Sequence, residues 1–130
     1  MIVLDASAVV EVLTNSPLAD SVRRNVAESG DSLIVPHLLD VEVISALRRL
    51  VAGQRVDSTH ADRVLAELRM FPAERYPHVS LLSRIWELRH NFTAYDATYI
   101  ALAEATGSVL YTCDKKLAKG HRAQVFVFTN

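Results

Sequence analysis

The sequence predicts an α/β fold in which a parallel sheet is covered by helices on both faces. Short runs of β-branched and other apolar residues, typical of buried parallel strands, alternate with longer stretches whose apolar residues recur at helical spacing. The chain has 130 residues, 50% of them hydrophobic, which is enough for one core and too little for two ordinary domains. We therefore expect residues 1–130 to form a single domain.

The chain begins with a predicted strand followed by two predicted helices. "IVL" at residues 2–4 has the composition of a buried strand, and from Ala8 the apolar residues follow helical spacing. Ser16 is typical of a helix N-cap and Pro17 of a first helical turn, so these residues predict where the second helix begins. Gly30 marks the end of that helix.

A second strand and two longer helices are predicted next. "SLIVP" indicates a buried strand that closes at Pro36. "HLLDVEVISALRRLVAG" predicts a long helix with leucines and valines on one face and Gly53 at its end. From Ser58 to Phe71 the helical pattern repeats. It stops before Pro72, because a proline disfavours helical backbone at the residue that precedes it.

The last part of the chain contains three predicted strands and two predicted helices. A third strand is predicted near "ERYPHV", and Ser80 to Arg89 forms a helix in which we interpret Trp86 as ordinary packing rather than a base-stacking platform. "TAYDATYIALAEATG" predicts a nearly all-apolar helix that ends at Gly107. "SVLYT" and "AQVFVFT" predict the last strands, and "CDKKLAKGHR" separates them.

Composition excludes several classes of protein and site. With 14 basic and 15 acidic side chains the formal net charge is -1, so a polyanion would have to be held by local cations. Cys113 is the only cysteine, which excludes an internal disulfide framework and a thiolate metal cluster. The sequence begins without the pattern of a secretory leader and contains no apolar run long enough to span a bilayer, so we expect a cytoplasmic protein without membrane contact.

Four acidic residues occupy unusual positions in this predicted framework. Asp5 and Asp114 each follow a predicted strand, and the carboxyl ends of parallel strands meet at one edge of the sheet, where ligands bind. Glu42 and Asp96 lie on otherwise apolar helix faces without a basic residue one turn away, although Arg49, two turns on, is a candidate partner for Glu42. Burying an unpaired carboxylate costs free energy or raises its pKa. A metal ion would compensate the charge of all four.

Each acid also has a simpler interpretation. Asp5 and Asp114 are both possible helix N-caps, Thr93 and Asp96 are rival caps for one helix, and Glu42 faces solvent if the helical phase is shifted. These interpretations do not explain why all four acids converge on one edge. A site made of oxygen ligands, without a histidine cluster, suits Mg²⁺ or Mn²⁺ rather than zinc.

Four segments together resemble the PIN domain, the fold of many small metal-dependent ribonucleases, and in this compact form the VapC toxins of toxin–antitoxin pairs. They are "IVLDASAVV", "LLDVEVISALRR", "FTAYDATYIALAEATG" and "LYTCDKKLAK". The resemblance implies a central parallel sheet of four or five strands. It implies catalytic, metal-binding carboxylates at Asp5, Glu42, Asp96 and Asp114. Ser7 and Thr112 stand where the family has supporting hydroxyls, and Asn15 occupies a position that is often polar.

The resemblance also implies an activity and its partners. The implied protein is a Mg²⁺-dependent endoribonuclease, with Mn²⁺ as a substitute, that uses metal-activated water and leaves 5′-phosphate and 3′-hydroxyl ends. Transfer RNA is the first expectation for its substrate. A small cognate antitoxin is expected to inhibit it by packing across the helical face and placing a basic side chain in the acidic site. A homodimer, or a dimer of toxin–antitoxin heterodimers, is the expected assembly.

Local cations are candidates for binding RNA. Five basic residues follow Asp114 closely enough to receive phosphates on either side of the scissile one, although a solvated helix face is the alternative. They are Lys115, Lys116, Lys119, His121 and Arg122. A second basic group suits a protein partner better, and it consists of Arg48, Arg49 and Arg55.

Two other classes of function compete with the nuclease. A receiver-like phosphoacceptor domain is also a small α/β sheet with an acid after its first strand, but it needs paired acids there and an acceptor aspartate after a third strand. "DAS" supplies a single acid, and "LIV" ends in Pro36. The other class is a non-catalytic RNA-binding or partner-binding PIN module, which usually lacks one or more of the four acids.

Overall fold

One five-stranded parallel sheet runs through the computed structural model, which describes residues 1–130. The strands are β1 (Ile2–Leu4), β2 (Leu33–Pro36), β3 (Ala73–Tyr76), β4 (Val109–Thr112) and β5 (Gln124–Val127). The helices are α1 (Ala6–Leu13), α2 (Ala19–Ser29), α3 (Leu38–Ala52), α4 (Ser58–Arg69), α5 (Leu82–Glu87) and α6 (Ala94–Thr106). Short 3₁₀ turns lie at Val79–Leu81 and Lys115–Ala118. The predicted α/β fold and the positions of its five strands are confirmed.

The order of the strands determines where a ligand site can form. The sheet runs β3-β2-β1-β4-β5, so the chain builds outward from β1 in one direction and then returns to place β4 on the other side of β1. Right-handed crossovers place α1 to α4 on one face and α5 and α6 on the other. Packing between α1, α2, α3 and α4, and between α5 and α6, agrees with this arrangement. The carboxyl ends of β1 and β4 therefore flank a topological switch point, where open α/β sheets bind ligands.

Helix α6 lies at the centre of the second helical layer. Seven consecutive residues, Ala97–Ala103, are buried, so the helix is enclosed on every side and its sequence shows little helical periodicity. Thr93 caps its first turn, and Gly107 ends it with a φ of 65°, a backbone conformation that glycine adopts without strain. No helix of the chain combines the length and the apolar character that crossing a membrane requires.

The predicted start of the second helix is wrong by two residues. Helix α2 begins at Ala19, and Ser16 is not its cap. The Ser16 hydroxyl lies 2.6 Å from the Thr14 hydroxyl, and the Ser16 carbonyl accepts a bond from the Ala19 N–H in a separate turn. The Leu18 N–H donates to the Glu11 carboxylate, 3.1 Å away. Contacts with the end of α1 thus compete with the local capping signal.

Two other helices are shorter than their predicted spans. Helix α4 ends at Arg69 rather than Phe71, because the N–H groups of Met70 and Phe71 turn back three residues, to the carbonyls of Glu67 and Leu68, as the chain approaches Pro72.

The segment predicted as one helix from Ser80 to Arg89 is divided into the 3₁₀ turn at Val79–Leu81 and helix α5. Helix α5 ends at Glu87 because Leu88 begins a tight turn in which its carbonyl accepts from the N–H groups of Asn91 and Phe92.

The packing role predicted for Trp86 is wrong. Its side chain is 66% exposed, while Leu88, on another face of the same turn, is buried in the core. The guanidinium of Arg89 lies 4.3 Å from the centre of the indole ring, so these two exposed residues form a cation–π pair on the surface.

A polar network attaches the segment before β5 to both helices of the second layer. Glu104 of α6 accepts two bonds from the Arg84 guanidinium, at 2.7 and 3.0 Å, and one from the Arg122 backbone N–H at 2.8 Å. Burial raises the pKa of Glu104, but the bonds from Arg84 and Arg122 outweigh it, and the pKa lies below its usual value. Arg122 is thus held by Glu104.

We expect Glu104→Ala to lower the free energy of unfolding by about 2–3 kcal/mol, because it leaves the half-buried Arg84 guanidinium without its carboxylate. Urea denaturation at neutral pH measures this loss. Glu87→Ala is the matched control, since the exposed Glu87 carboxylate lies 3.8 Å from the same guanidinium and contributes at most a few tenths of a kcal/mol. Equal losses in the two variants would contradict a central role for Glu104.

Candidate active site

A cavity of about 370 Å³ opens at the carboxyl edge of the sheet, between α1, α3 and α6. All four acids singled out in the sequence line it. The lining residues are Asp5, Ala6, Ser7, Val10, Glu42, Ala46, Arg49, Asp96, Tyr99 and Asp114. The structure therefore brings together side chains from the first strand, two helices and the segment after β4.

Asp5 is the most buried of the four acids, with 4% of its surface exposed. Its Oδ1 accepts bonds from the Ala8 backbone N–H at 3.0 Å and from the Ser7 hydroxyl at 2.6 Å, and its Oδ2 accepts from the Thr112 hydroxyl. The bond from Ala8 makes Asp5 the N-cap of α1. Capping and a place in the acidic cavity, considered as alternatives from the sequence, are thus combined in one side chain.

The hydroxyls around Asp5 connect the ends of β1 and β4. Besides donating to Asp5, the Thr112 hydroxyl accepts from the Asp114 N–H at 3.0 Å. The Ser7 hydroxyl accepts from the Cys113 N–H at 2.9 Å. Ser7 and Thr112 thus lie where the resemblance expects supporting hydroxyls, and they give Asp5 a fixed orientation.

The other three acids reach the cavity from separate elements. Thr93 is the cap of α6, and its hydroxyl accepts from the Asp96 N–H at 3.1 Å, so Asp96 lies in the first turn with its side chain in the cavity. Asp114 caps the 3₁₀ turn that follows it by accepting from the Lys116 N–H at 2.9 Å. Glu42 is half-buried on α3 and does not face open solvent.

Burial and mutual repulsion raise the pKa values of three of these acids. Burial raises the pKa of Asp5 to about 6 despite the hydrogen bonds it accepts, and the charge of Asp96 adds to the effect. Burial, followed by the charge of Asp96, raises the pKa of Glu42. The pKa of Asp96 is raised by burial and by the charge of Asp114. The cavity therefore holds more negative charge than its own residues neutralise.

Tyr99 is a cavity residue that the sequence reasoning missed. Its hydroxyl is buried beside the carboxylate of Glu42, yet it makes no hydrogen bond of ordinary geometry. Burial, followed by the nearby acids, raises its pKa, so the hydroxyl keeps its proton. Its position three residues after Asp96, on the same face of α6, was the available signal.

Arg49 is the one basic side chain that lines the cavity. The sequence groups Arg49 with Arg48 and Arg55 as residues for a protein partner and also makes it a candidate partner for Glu42; the structure places its side chain in the cavity with Glu42. Its charge lowers the pKa of Glu42 against the larger effect of burial.

Other predicted site residues lie elsewhere. Asn15 is outside the cavity: it has a left-handed φ of 53° just after α1 and accepts a bond from Arg23 at 3.1 Å. Arg122 belongs to the Glu104 network rather than to the acidic cavity. Lys116 lies close enough to Asp96 to lower the pKa of that carboxyl. Lys115 is exposed in the 3₁₀ turn at Lys115–Ala118, and Lys119 is exposed directly after that turn.

The four acids offer the oxygen ligands that a hard divalent cation prefers, but they do not form a complete coordination sphere by themselves. The cavity offers carboxylate oxygens and no histidine or thiolate, a donor set that suits Mg²⁺ or Mn²⁺. The raised pKa values and the unpaired Tyr99 hydroxyl both fit a site that takes up positive charge and water. No three histidine, cysteine, aspartate or glutamate side chains converge closely enough to form a complete metal site by themselves.

Asp5→Asn should make the protein more stable at alkaline pH. Because the pKa of Asp5 rises from 3.8 to about 6 on folding, the folded state holds this proton more tightly, and stability falls as the pH increases through that interval. Asparagine keeps the cap without the charge. In urea denaturation with EDTA, we expect a gain of about 1–3 kcal/mol at pH 8 that disappears near pH 4.

Asp57→Asn is the control for this measurement. Asp57 caps α4 in the same way, accepting from the His60 N–H at 2.8 Å, but it is exposed. Its replacement should change stability by no more than a few tenths of a kcal/mol. A loss of stability in Asp5→Asn at pH 8 would contradict the cost assigned to the buried charge.

Comparisons with known proteins agree with this arrangement. The PIN domain profile matches residues 2–122. The chain is 44% identical over 124 residues to the VapC ribonuclease Mb0985 of Mycobacterium bovis, covering 95% of this chain and 94% of that protein. It is 38% identical over 127 residues to ribonuclease VapC12 of Mycobacterium tuberculosis, covering 96% and 97% of the two chains.

Solved structures share the fold. PAE2754 of Pyrobaculum aerophilum superposes with a TM-score of 0.69 at 26% identity, over 95% of this chain and 81% of that one. VapBC2 of Rickettsia felis, crystallised with a DNA fragment from its promoter, gives a TM-score of 0.70 at 15% identity, over 99% and 100% of the two chains. The match favours the PIN resemblance over a receiver-like domain. The chain belongs to the PIN domain family, and within it to the VapC-like proteins.

Proposed function

We propose that this protein is a Mg²⁺-dependent endoribonuclease and the toxin of a VapBC-type pair. One observation carries the proposal: four carboxylates from distant parts of the chain line one cavity at the switch point of the sheet. The relatives named as VapC ribonucleases match nearly the whole chain, which supports RNA as the substrate.

Asp5, Glu42, Asp96 and Asp114 are the residues that would hold the metal. The spread of these acids suits Mg²⁺, which keeps several water molecules when it binds to proteins through one or two carboxylates. When bound, a divalent cation supplies positive charge for the scissile phosphate and lowers the pKa of water that it coordinates. Mn²⁺, with the same preference for oxygen ligands, is expected to substitute.

The residues of the chain fix the carboxylates and bind the substrate. Three donors hold Asp5 in one orientation, and the cap bond to the Lys116 N–H restricts Asp114. Fixed ligands reduce the reorganisation needed when the charge on the phosphate changes. Lys116, beside Asp96, lies where it can receive an RNA phosphate, and Lys115 and Lys119 extend this positive surface. We propose cleavage that leaves 5′-phosphate and 3′-hydroxyl ends, with transfer RNA as the first substrate to test.

The purified protein should cut cellular RNA in Mg²⁺ or Mn²⁺ and not in EDTA. Asp5→Asn and Asp96→Asn should each lower the cleavage rate by at least about a hundredfold, because a lost ligand weakens the metal site and its charge balance. Gel analysis of a total RNA pool measures the rate and identifies the RNA. Direct adapter ligation to the new 5′ ends tests for the 5′-phosphate.

Two controls separate catalysis from folding. Asp57→Asn removes a charge from an exposed cap at the start of α4, which does not line the acidic cavity, and this variant should cut at the normal rate. Calorimetry should detect Mg²⁺ or Mn²⁺ binding by the normal protein and weaker binding by Asp5→Asn. If the protein neither cuts RNA nor binds either metal, the nuclease proposal is wrong and a non-catalytic binding module takes its place.

A cognate antitoxin and self-association are the partners that we propose. Co-expression with the VapB-type gene product should yield a tight complex in which RNA cleavage is suppressed, and the free protein should be a homodimer by light scattering. A complex that cuts RNA as fast as the free protein would contradict inhibition. A monomer at high concentration would contradict the dimer.

A further inference from the structure

Arg49 lines the acidic cavity without an assigned partner. Its guanidinium donates one bond, to the exposed Ser45 hydroxyl at 3.2 Å, and it takes part in none of the ion pairs of the structure. It is exposed, so the side chain does not support the core. A cation beside four carboxylates that pairs with none of them has donors free for another anion.

Arg49 and Lys116 approach the cavity from different elements. Arg49 belongs to α3 and lines the cavity together with Glu42, whereas Lys116 belongs to the turn after β4, where its N–H donates to the Asp114 carboxylate at 2.9 Å. A phosphodiester that enters between these acids meets repulsion from the carboxylates. The net charge of the chain gives no general attraction, so cations at the rim must supply it.

We propose that Arg49 binds an RNA phosphate next to the scissile one, so that the substrate backbone crosses the cavity between Lys116 and Arg49. This inference rests on the proposed ribonuclease function and adds a substrate-binding residue to it. The planar guanidinium can bind two phosphate oxygens at once, which a lysine ammonium does with less geometric selectivity. Arg49 is then a substrate-binding residue that contacts the RNA backbone and takes no part in the chemical step.

Binding measured without metal or cleavage isolates this contact. A short fluorescent single-stranded RNA of mixed sequence is titrated with Asp5→Asn protein in EDTA, over a range of salt concentrations, and fluorescence anisotropy gives the affinity. Adding Arg49→Gln should weaken binding about tenfold. It should also reduce the slope of log affinity against log salt by about 0.7, the value for one lost phosphate contact to a single strand. Adding Arg49→Lys should preserve the slope and lose only part of the affinity.

Arg48→Gln is the matched control, because Arg48 is the exposed neighbour on α3 that does not line the cavity. It should change affinity by less than about twofold. In the cleavage assay with Mg²⁺, Arg49→Gln alone should raise KM about tenfold and leave kcat within about twofold, as expected for a residue that binds substrate and transition state equally.

The outcomes distinguish this inference from the function on which it rests. If the protein cuts RNA and Arg49→Gln behaves like Arg48→Gln, or if kcat falls while KM is unchanged, the assignment of Arg49 is overturned and the nuclease stands. If binding depends on Arg49 but no RNA is cut, the nuclease proposal fails, and Arg49 is a phosphate-binding residue of a non-catalytic RNA-binding module. Absence of binding by Asp5→Asn protein that retains Arg49 overturns the assignment.

Discussion

The arrangement of the acidic cavity depends on one buried carboxylate that connects the ends of two neighbouring strands. Asp5 follows β1, accepts a bond from Thr112 at the end of β4, and begins α1 by capping its first turn. Ser7 and the backbone N–H groups of Cys113 and Asp114 complete the same network. Hydrogen bonds thereby join the carboxyl ends of β1 and β4 at the switch point of the sheet. The direction of α1, the path of the chain after β4 and the orientation of the carboxylate are set together.

This connection has an electrostatic cost that the fold does not remove. Asp5, Glu42 and Asp96 all have raised pKa values because they are desolvated and close to like charges, and Arg49 and Lys116 compensate only in part. A fold selected for stability alone would favour neutral caps here. Functional sites commonly retain such unfavourable charges, because the ligand that relieves them is the one the site is built to bind.

The features that local sequence patterns determine, namely the strands, most helices and the four acids, could be predicted from the sequence. The three central strands β1, β2 and β4 have the buried apolar runs that predicted them. Of the two rival caps for α6, Thr93 is the one that caps it, through a bond from the N–H three residues away. The four acids were found because strand ends and apolar helix faces are recognisable. Arg49, Tyr99 and Arg122 were not placed correctly, since each position depends on which helix packs beside which. Ser16 shows the same limit, as a contact with Thr14 replaced its expected capping bond.

The bond between Asp5 and Thr112 joins residues 107 positions apart in the chain. Because β4 is also the strand that pairs with β1 on this side, the acidic cavity cannot be assembled from an N-terminal piece of the protein that ends before β4. During synthesis, the first 111 residues can emerge from the ribosome and collapse around β1, β2 and β3, yet Asp5 still lacks the Thr112 hydroxyl, the donor to its Oδ2. A nascent or prematurely terminated chain that ends before Thr112 therefore holds Asp5 with two of its three hydrogen-bond donors. The sheet order makes synthesis through β4 and Asp114 a condition for an intact site.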